Sequence, residues 1–360
     1  MRYIVQVFTG NYDAPSHTAR EIIEKLEFVT AQVAVEKVIV GWATDRQLYR
    51  EIGAYLHSKG IQMLLWLPVF SETGDFVPME WAVDVWGRPI QPPTVQAGES
   101  FTFCCPSSLH NLTAVKAVYE RYFADGGFDG VFLDRIRTHS FVGGVEGVLS
   151  CGCAHCREAY AARGVALRDV AASYEQLGDR FFDVTEELAF AQPLTQRFFE
   201  AKAAIVTASV SELCRYFHEK EMCVGLDLYA PLISPFVGQS YPLLAAQADF
   251  IKPMLYRRTD APAGIAYEYE LIPRFAPTAQ GYPPFAWDAA FLRDELDALK
   301  ALPCDVYAGI EINRSGIAPT DEAYVCESLR VVRDSGVAGA VLSWSIMDAP
   351  AEHIRAAGTL

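Results

Sequence analysis

The sequence predicts an α/β protein in which residues 1–360 form a single (β/α)8 barrel domain of the TIM type. Short β-rich runs alternate with longer amphipathic helical patterns eight times, and eight parallel βα units are the number that closes a barrel. The long insertions all follow β-rich runs, as expected for the functional face of a barrel. No GxGxxG or P-loop motif follows any of these runs, which argues against an open nucleotide-binding sheet.

Runs rich in β-branched, aromatic and other apolar residues are the predicted strands. In chain order they are Tyr3–Phe8, Lys37–Trp42, Ile61–Leu67, Gly130–Asp134, Cys223–Leu228, Phe250–Tyr256, Val306–Ile312 and Ala340–Trp344. The long insertions follow strands three, four and six, and they cover Pro68–Ser100, Thr138–Gln192 and Arg257–Pro284.

The helices between the strands have recognisable faces and ends. Ile22 and Leu26 lie one turn apart on the apolar face of the first helix, and Gly60 ends the second. Ser107 or Ser108 is expected to cap the third helix, which precedes the fourth strand. The later helical patterns are those around Phe198–Phe217, Phe291–Leu299 and Tyr324–Val332.

Composition narrows the class of protein. Thirty basic and 45 acidic residues give a net charge of −15, which disfavours nucleic acid as a partner and fits a neutral or cationic small substrate better. No run of about 18 apolar residues is present, so no membrane span is expected. The N-terminal segment lacks the features of a signal peptide, which predicts a cytoplasmic protein. The sequence contains no motif for an organic cofactor, and it leaves open whether the chain forms a homo-oligomer.

Carboxylates follow three of the predicted strands. Asp134 ends strand four within GFDGVFLD, Asp227 ends strand five within VGLDLY, and Glu311 ends strand seven within YAGIE. A single aspartate at such a position is more often a turn former or a helix cap, but the strand ends of a barrel ring one mouth, so three carboxylates can converge. Hydrolysis of a glycosidic bond needs two carboxyl groups. We therefore expect a glycosidase with Asp134 and Glu311 as the preferred catalytic pair and Asp227 as the next candidate.

Other polar and aromatic residues at or just beyond the strand ends are candidate substrate contacts. Aromatic rings with polar tips stack on the apolar faces of sugars, although each ring taken singly is more often part of the core. The predicted substrate-binding residues are Trp66, Arg135, Arg137, His139, Tyr229, Lys252, Tyr256, Asn313 and Trp344. The expected partner is a small carbohydrate.

Lys252 also supports a different class of enzyme, because a lysine near the mouth of a barrel can form a Schiff base with a carbonyl substrate. It precedes Pro253 inside an apolar strand, and we favour a contact with substrate or with a carboxylate over a nucleophilic role. A catalytically degenerate sugar-binding barrel is a third hypothesis. It predicts ligand binding without turnover.

Five of the nine cysteines are clustered in the sequence. Cys151, Cys153 and Cys156 lie in a CxCxxC motif, and Cys104 and Cys105 lie 47 and 46 residues upstream of its first cysteine. Thiolates at this spacing can bind one tetrahedral ion together with a fourth thiolate from a distant loop, and four thiolates leave no position for water, which makes such a site structural. The alternatives are reduced thiols without a metal, or a redox-active or disulfide-bonded pair. A metal here would link the loop after strand three to the loop after strand four.

The cysteine pattern resembles the zinc site of glycoside hydrolase family 42 β-galactosidases. In that family, Cys-Pro followed by small hydroxyl residues precedes a CxCxxC motif at a similar interval, and the CPSS sequence that begins at Cys105 matches the first part. The match covers roughly residues 103–160. The resemblance implies a structural Zn²⁺ whose ligands are Cys105, Cys151, Cys153 and Cys156.

Strand four departs from that family, whose acid/base glutamate follows an asparagine at this point, whereas this chain reads FLDRIR. The segment resembles instead glycoside hydrolase barrels with a GxDGhhhD strand four, where h is apolar, and some of these also carry CxCxxC just downstream. In α-galactosidase-like enzymes the strand-four aspartate is the nucleophile, so the resemblance implies a catalytic role for Asp134. Glu311 stands on strand seven, where many retaining barrels place their nucleophile.

Overall fold

The computed structural model describes residues 1–71, 77–91, 101–185, 189–272 and 286–360. Eight parallel strands form a closed barrel, namely β1 Arg2–Phe8, β2 Val35–Gly41, β3 Gln62–Pro68, β4 Gly130–Asp134, β5 Cys223–Tyr229, β6 Phe250–Met254, β7 Asp305–Glu311 and β8 Gly339–Ser343. Each strand pairs with the next along the chain, and β8 pairs with β1 to complete the ring. The predicted (β/α)8 barrel is therefore confirmed, and every strand begins and ends within two residues of its predicted limits.

Helices connect the successive strands, and their ends follow local sequence signals. They are α1 Ala19–Thr30, α2 Arg46–Ser58, α3 Leu109–Tyr122, α4 Gly144–Val148, α5 Ala154–Ala161, α6 Leu167–Leu177, α7 Pro193–His218, α8 Tyr241–Ala245, α9 Ile265–Glu270, α10 Ala289–Asp297, α11 Glu322–Ser335 and α12 Ala351–Gly358. Thr18 caps α1 and forms a capping box with Glu21. Ser108 caps α3, since its side chain accepts a hydrogen bond from the backbone N–H of Asn111.

The amino-terminal half of the barrel interior is filled with apolar side chains. A cluster of buried residues with one member from each strand except β5 forms this plug: Ile4, Ile39, Leu64, Phe132, Phe250, Tyr307 and Val341. At β5 the corresponding residue is Gly225, where a Cβ would collide with the ring of Phe250. The rings of Phe250 and Phe132 stack with their centroids 6.0 Å apart. These side chains fill the barrel interior at this end.

A second glycine makes room for a charged side chain above the plug. A Cβ at Gly309 on β7 would lie 2.6 Å from Cε of Lys252 on the neighbouring strand β6. Contacts this short do not occur between carbon atoms, so the side chain of Lys252 occupies space that only glycine leaves free. Lys252 itself is 1% exposed.

The register of the strands places the predicted functional residues at one level of the barrel. Leu133 on β4 pairs with Leu226 on β5, so that Asp134 and Asp227 are the next residues on two adjacent strands. Asp227 in turn pairs with Lys252 on β6. Because neighbouring strands lie about 4.8 Å apart, these three side chains start from backbone positions that are close together.

The predicted insertions are only partly within the described residues. The segment after β4 contains α4, α5 and α6, whereas residues 72–76, 92–100, 186–188 and 273–285 of the three insertions lie outside the described residues. A search of the described helices for one long and apolar enough to cross a bilayer found none.

Candidate active site

The carboxyl ends of the strands surround a cavity of about 430 Å³. Small-molecule sites typically have volumes of about 300–1,000 Å³, so the cavity has the size of a ligand site. Ten of the residues predicted from the sequence line it, namely Trp66, Asp134, Arg135, Arg137, Asp227, Tyr229, Lys252, Tyr256, Asn313 and Trp344. Strand ends that are far apart in the sequence therefore meet at one opening.

Asp134 ends β4 and is held by two donors. The indole Nε1–H of Trp66 donates to Oδ2 of Asp134 at 2.8 Å, and the backbone N–H of Arg135 donates to Oδ1 at 2.5 Å. These two hydrogen bonds fix the orientation of the carboxyl group. The side chain is partly exposed and lines the cavity, so it can contact a ligand.

Asp227 lies near the end of β5 and forms a buried ion pair with Lys252. Nζ of Lys252 lies 3.1 Å from Oδ2 of Asp227, and the two side chains are 1% and 3% exposed, respectively. Burial raises the pKa of Asp227 to about 7, and the negative charge of Asp134 adds to the rise, whereas the ammonium of Lys252 opposes it. The other oxygen, Oδ1, has no hydrogen-bond partner among the described residues. This oxygen can carry a proton and donate it to a ligand.

Gln6 on β1 is a site residue that the sequence analysis missed. Its Oε1 accepts hydrogen bonds from Nζ of Lys252 at 3.0 Å and from Oγ of Ser343 at 2.7 Å. Its Nε2 is buried at the cavity wall and has no partner within the described part of the chain. The amide therefore orients the lysine and keeps a donor for a ligand. The available signal was its position as the one polar residue inside the apolar run YIVQVF.

Glu311, which we expected to pair with Asp134, is not among the residues that line the cavity. Its carboxylate is fully buried and accepts a hydrogen bond from the backbone N–H of Arg258 at 2.7 Å. Burial raises its pKa to about 7, and the side chains of Tyr324 and Arg257 lie close enough to oppose that rise. Glu311 is thus hydrogen-bonded to the segment after β6, and the carboxylate that lines the cavity beside Asp134 is that of Asp227.

Arg135 and Arg137 both reach the cavity after β4, as predicted, and each is packed between aromatic rings. The guanidinium carbon of Arg135 lies 5.3 Å from the ring centroid of Trp42 and 4.9 Å from that of Phe101. Backbone geometry helps to direct this side chain, because Arg135 has a φ of 53°. Such a left-handed conformation costs energy for a residue with a Cβ and is often found at functional sites.

His139 and Asn313 were both predicted to contact the substrate. His139 lies behind the cavity wall, and Asn313 positions a neighbouring loop. His139 is buried outside the cavity lining, and its Nε2 accepts a hydrogen bond from the backbone N–H of Phe103 at 3.3 Å. Burial lowers its pKa to about 3, so it is neutral there. Asn313 lines the cavity, but its Oδ1 accepts from the backbone N–H of Trp344 at 2.5 Å and its Nδ2 donates to the carbonyl of Ser345 at 2.9 Å. It therefore fixes the loop that carries Trp344.

Aromatic rings form much of the remaining wall. Trp42, which the sequence analysis did not single out as a contact, lies 5.7 Å from Trp66 and 5.5 Å from Phe8 in edge contacts between ring centroids. On the other side, Tyr256 and Trp344 are 6.2 Å apart. Such surfaces suit the apolar faces of sugar rings. A third carboxylate, exposed Asp348, stands at the rim and was also missed.

A second site lies in the loops after β3 and β4. The sulfur atoms of four cysteines lie within 4.8 Å of one another, and these residues are Cys105, Cys151, Cys153 and Cys156. The sulfur of Cys105 is 3.3 Å from that of Cys153 and 3.4 Å from that of Cys156, and all four are free thiols. A tetrahedral ion with metal–sulfur bonds of about 2.3 Å needs sulfur atoms about 3.8 Å apart. The donor set therefore fits a metal ion, and neighbouring Cys104 is not part of it.

Comparisons of the sequence gave no relatives: no protein-family model matches this chain, and no curated protein matches it. Solved structures do match its fold. The α-L-fucosidase isoenzyme 2 from Paenibacillus thiaminolyticus aligns with 99% of this chain and 48% of its own length, at 13% identity and a TM-score of 0.54.

Two chitinases match over nearly their whole length. The class V chitinase from Pseudomonas fluorescens Pf-5 aligns with 99% of this chain and 99% of its own, at 12% identity and a TM-score of 0.51. Catalytic domain 2 of the Group II chitinase from Ostrinia furnacalis, solved with a chitooligosaccharide, aligns with 98% of this chain and 94% of its own, at 12% identity and a TM-score of 0.50. At such identities the similarity shows a shared barrel fold, and the chemistry has to be argued from the site itself.

Proposed function

We propose that this chain is a glycoside hydrolase that uses Asp134 and Asp227 as its two carboxyl groups. The observation that carries the proposal is their placement on adjacent strands at one aromatic-lined cavity, with different environments. Asp134 accepts hydrogen bonds from two N–H groups, whereas Asp227 is buried and has a raised pKa. Hydrolysis of a glycosidic bond needs two carboxyl groups, one of which is protonated and acts as the acid.

The environments assign a role to each carboxyl group. Protonated Asp227 donates its proton to the glycosidic oxygen as the bond to the leaving group breaks. Ionised Asp134 attacks the anomeric carbon and forms a glycosyl ester, which water then hydrolyses while Asp227 accepts the proton of that water. The placement on adjacent strands favours this retaining course, because inversion needs a wider gap between the carboxyl groups that admits water.

The other cavity residues support the same reaction. Nε2 of Gln6 is a free donor for a sugar hydroxyl, and the rings of Trp66 and Trp344 offer faces on which a sugar can stack. Lys252 acts on Asp227, because its ammonium stabilises the carboxylate that remains after proton donation. An ion-paired ammonium is not a nucleophile, and this pairing argues against the Schiff-base alternative.

We further propose that the four-cysteine site binds a structural Zn²⁺. Four thiolates satisfy the preferred tetrahedral coordination of zinc and leave no position for substrate or water. The site would therefore join the loop that precedes α3 to the loop that precedes α5.

Release of 4-methylumbelliferone from a panel of α- and β-glycosides tests the hydrolase proposal. We expect turnover of at least one member, and NMR of the first-formed sugar should show that its anomeric configuration is retained. Binding of sugars with no release from any glycoside would instead indicate a degenerate sugar-binding barrel. Inactivation by borohydride in the presence of a carbonyl substrate would indicate the Lys252 lyase, since a glycosidase forms no reducible imine.

The pH profile of kcat/KM tests the role of Asp227. Activity should fall as the pH rises above about 7, because the general acid loses its proton there. In Lys252→Met, loss of the ammonium should move this alkaline limb upward by about 1–3 pH units.

Lys37→Met is the matched control for that shift. Lys37 lies on β2 and pairs with Glu36 at 2.9 Å, near the ring of Phe250 in the plug of the barrel interior. Its alkaline limb should stay where it is in the unaltered protein. An alkaline limb that does not move in Lys252→Met would contradict the assignment of Asp227 as the acid.

A further inference from the structure

Arg137 is an almost fully buried cation in the wall of the cavity. It is 4% exposed, and its guanidinium carbon lies 4.3 Å from the ring centroid of Phe103 and 4.3 Å from that of Tyr229. The two rings pack against the guanidinium group and restrict its movement. Burying a charge in this way is unfavourable unless the charge is paired.

The described surroundings do not supply a pairing carboxylate. Arg137 donates one hydrogen bond, from Nη1 to the carbonyl oxygen of Thr138 at 2.9 Å, and it forms no ion pair with any described residue. Two acidic groups are close enough to feel its charge, Asp227 and Glu268. Asp227 is already paired with Lys252. Of the five N–H groups of the guanidinium, most are therefore left for a ligand.

Glu268 on α9 is engaged elsewhere. Its Oε1 accepts hydrogen bonds from the hydroxyl of Tyr229 at 2.9 Å, from Oγ of Ser140 at 3.1 Å and from the backbone N–H of Ala263 at 3.2 Å. Since Tyr229 also stacks on Arg137, Glu268 fixes the ring that orients the guanidinium. The result is a rigid cation whose unused donors face a cavity.

We infer that Arg137 binds a carboxylate of the ligand and that the substrates are glycosides of a uronic acid. This inference rests on the proposed glycosidase function. A planar guanidinium packed against two rings matches a planar carboxylate, which it can bind through two parallel hydrogen bonds. The net charge of −15 favours a neutral or cationic ligand for the protein as a whole, but the local charge at Arg137 decides what binds beside it.

Titration of the unaltered protein with free sugars tests the inference without any need for turnover. Free D-glucuronate and D-galacturonate contain both anomers in solution, so the anomeric preference need not be known. Trp42, Trp66 and Trp344 line the cavity and provide a fluorescence signal. We expect the uronates to bind about 10- to 100-fold more tightly than D-glucose and D-galactose, because a hydrogen bond to a charged group is stronger than one to a hydroxyl. Equal or weaker binding of the uronates would overturn the inference.

Two variants locate the effect. Arg137→Gln should lower the ratio of uronate affinity to neutral-sugar affinity to about one. Arg137→Lys keeps the charge and most of the volume but loses the paired donors, so it should give an intermediate affinity. Melting temperatures identify any variant that fails to fold, and the measurement on the unaltered protein decides the question in that case. Uronate binding that persists in a folded Arg137→Gln variant would also overturn the inference.

The inference and the proposed function can fail separately. Selective uronate binding with no hydrolysis of 4-methylumbelliferyl glucuronides or galacturonides would support the role of Arg137 and reject the hydrolase. Hydrolysis of neutral glycosides with no preference for uronides would support the hydrolase and reject the role of Arg137. A preference for sugar sulfates or phosphates over uronates would reject the carboxylate as the recognised group.

Discussion

Asp134→Asn should lower kcat/KM for glycoside hydrolysis by about 10³- to 10⁴-fold, because an amide can neither attack the anomeric carbon nor act as a base. The melting temperature should change little, since the asparagine side-chain oxygen can still accept the hydrogen bond from the Trp66 indole. Initial rates on a glycoside that the unaltered enzyme cleaves provide the measurement. A folded variant with full activity would reject Asp134 as a catalytic residue.

Glu311→Gln is the matched control for this experiment. Both residues end a strand and both carry a carboxylate, but Glu311 is fully buried outside the cavity lining. Glutamine keeps the acceptor for the N–H of Arg258, so we expect activity within about 10-fold of the unaltered enzyme. A loss as large as that of Asp134→Asn would return Glu311 to the catalytic pair.

Azide separates the two roles that a catalytic Asp134 could have. In Asp134→Gly, azide can enter the space of the lost carboxylate and attack the anomeric carbon directly, which would give a glycosyl azide of inverted configuration. If Asp134 were the acid/base instead, azide would attack a glycosyl ester already formed on another carboxylate and give retained configuration. We expect the inverted product.

Cys105→Ser should remove the bound metal and destabilise the protein, because a structural zinc site contributes its binding free energy to folding. If free zinc is held at about 1,000 times its dissociation constant, the loss is about 4 kcal/mol. Elemental analysis of the purified protein should find about one zinc per chain before the substitution, since four thiolates bind one ion. The melting temperature gives the change in stability.

Cys104→Ser is the control for this site. Cys104 is as buried as Cys105 and adjacent to it, but its sulfur lies outside the four-cysteine cluster. It should therefore keep the zinc, with a loss of stability limited to the cost of a buried hydroxyl. Freshly purified protein without a tightly bound metal would reject the zinc proposal, and iron in place of zinc would reject the identity of the ion.

The fold was predictable because its signals are local. Each strand is a short apolar run, and the repetition of strand and helix leaves few topologies open. The limits of the strands differed from the prediction by up to two residues: the sixth strand was predicted to extend to Tyr256 and ends at Met254. Tyr256 lies beyond the sheet and lines the cavity.

The site was predictable in part. Asp134 ends β4 and Asp227 lies near the end of β5, and parallel strands bring such residues together whatever their distance in sequence. Glu311 likewise ends its strand, but it is enclosed by Arg258 and Tyr324, and neither neighbour could be inferred from the sequence of the strand. Sequence position gives the level of a residue in the barrel, whereas packing decides which group reaches the opening.

Gly309 shows how a residue with no functional group can influence the pKa of Asp227, the proposed acid. Because glycine has no Cβ, it leaves space for the Lys252 side chain that the Cβ of any other amino acid would fill. Even alanine would push the ammonium away from Asp227, and the carboxyl group would then hold its proton at higher pH. The pKa of Asp227 on β5 thus depends on the absence of a side chain at Gly309 on β7. The titratable residues alone do not reveal that dependence.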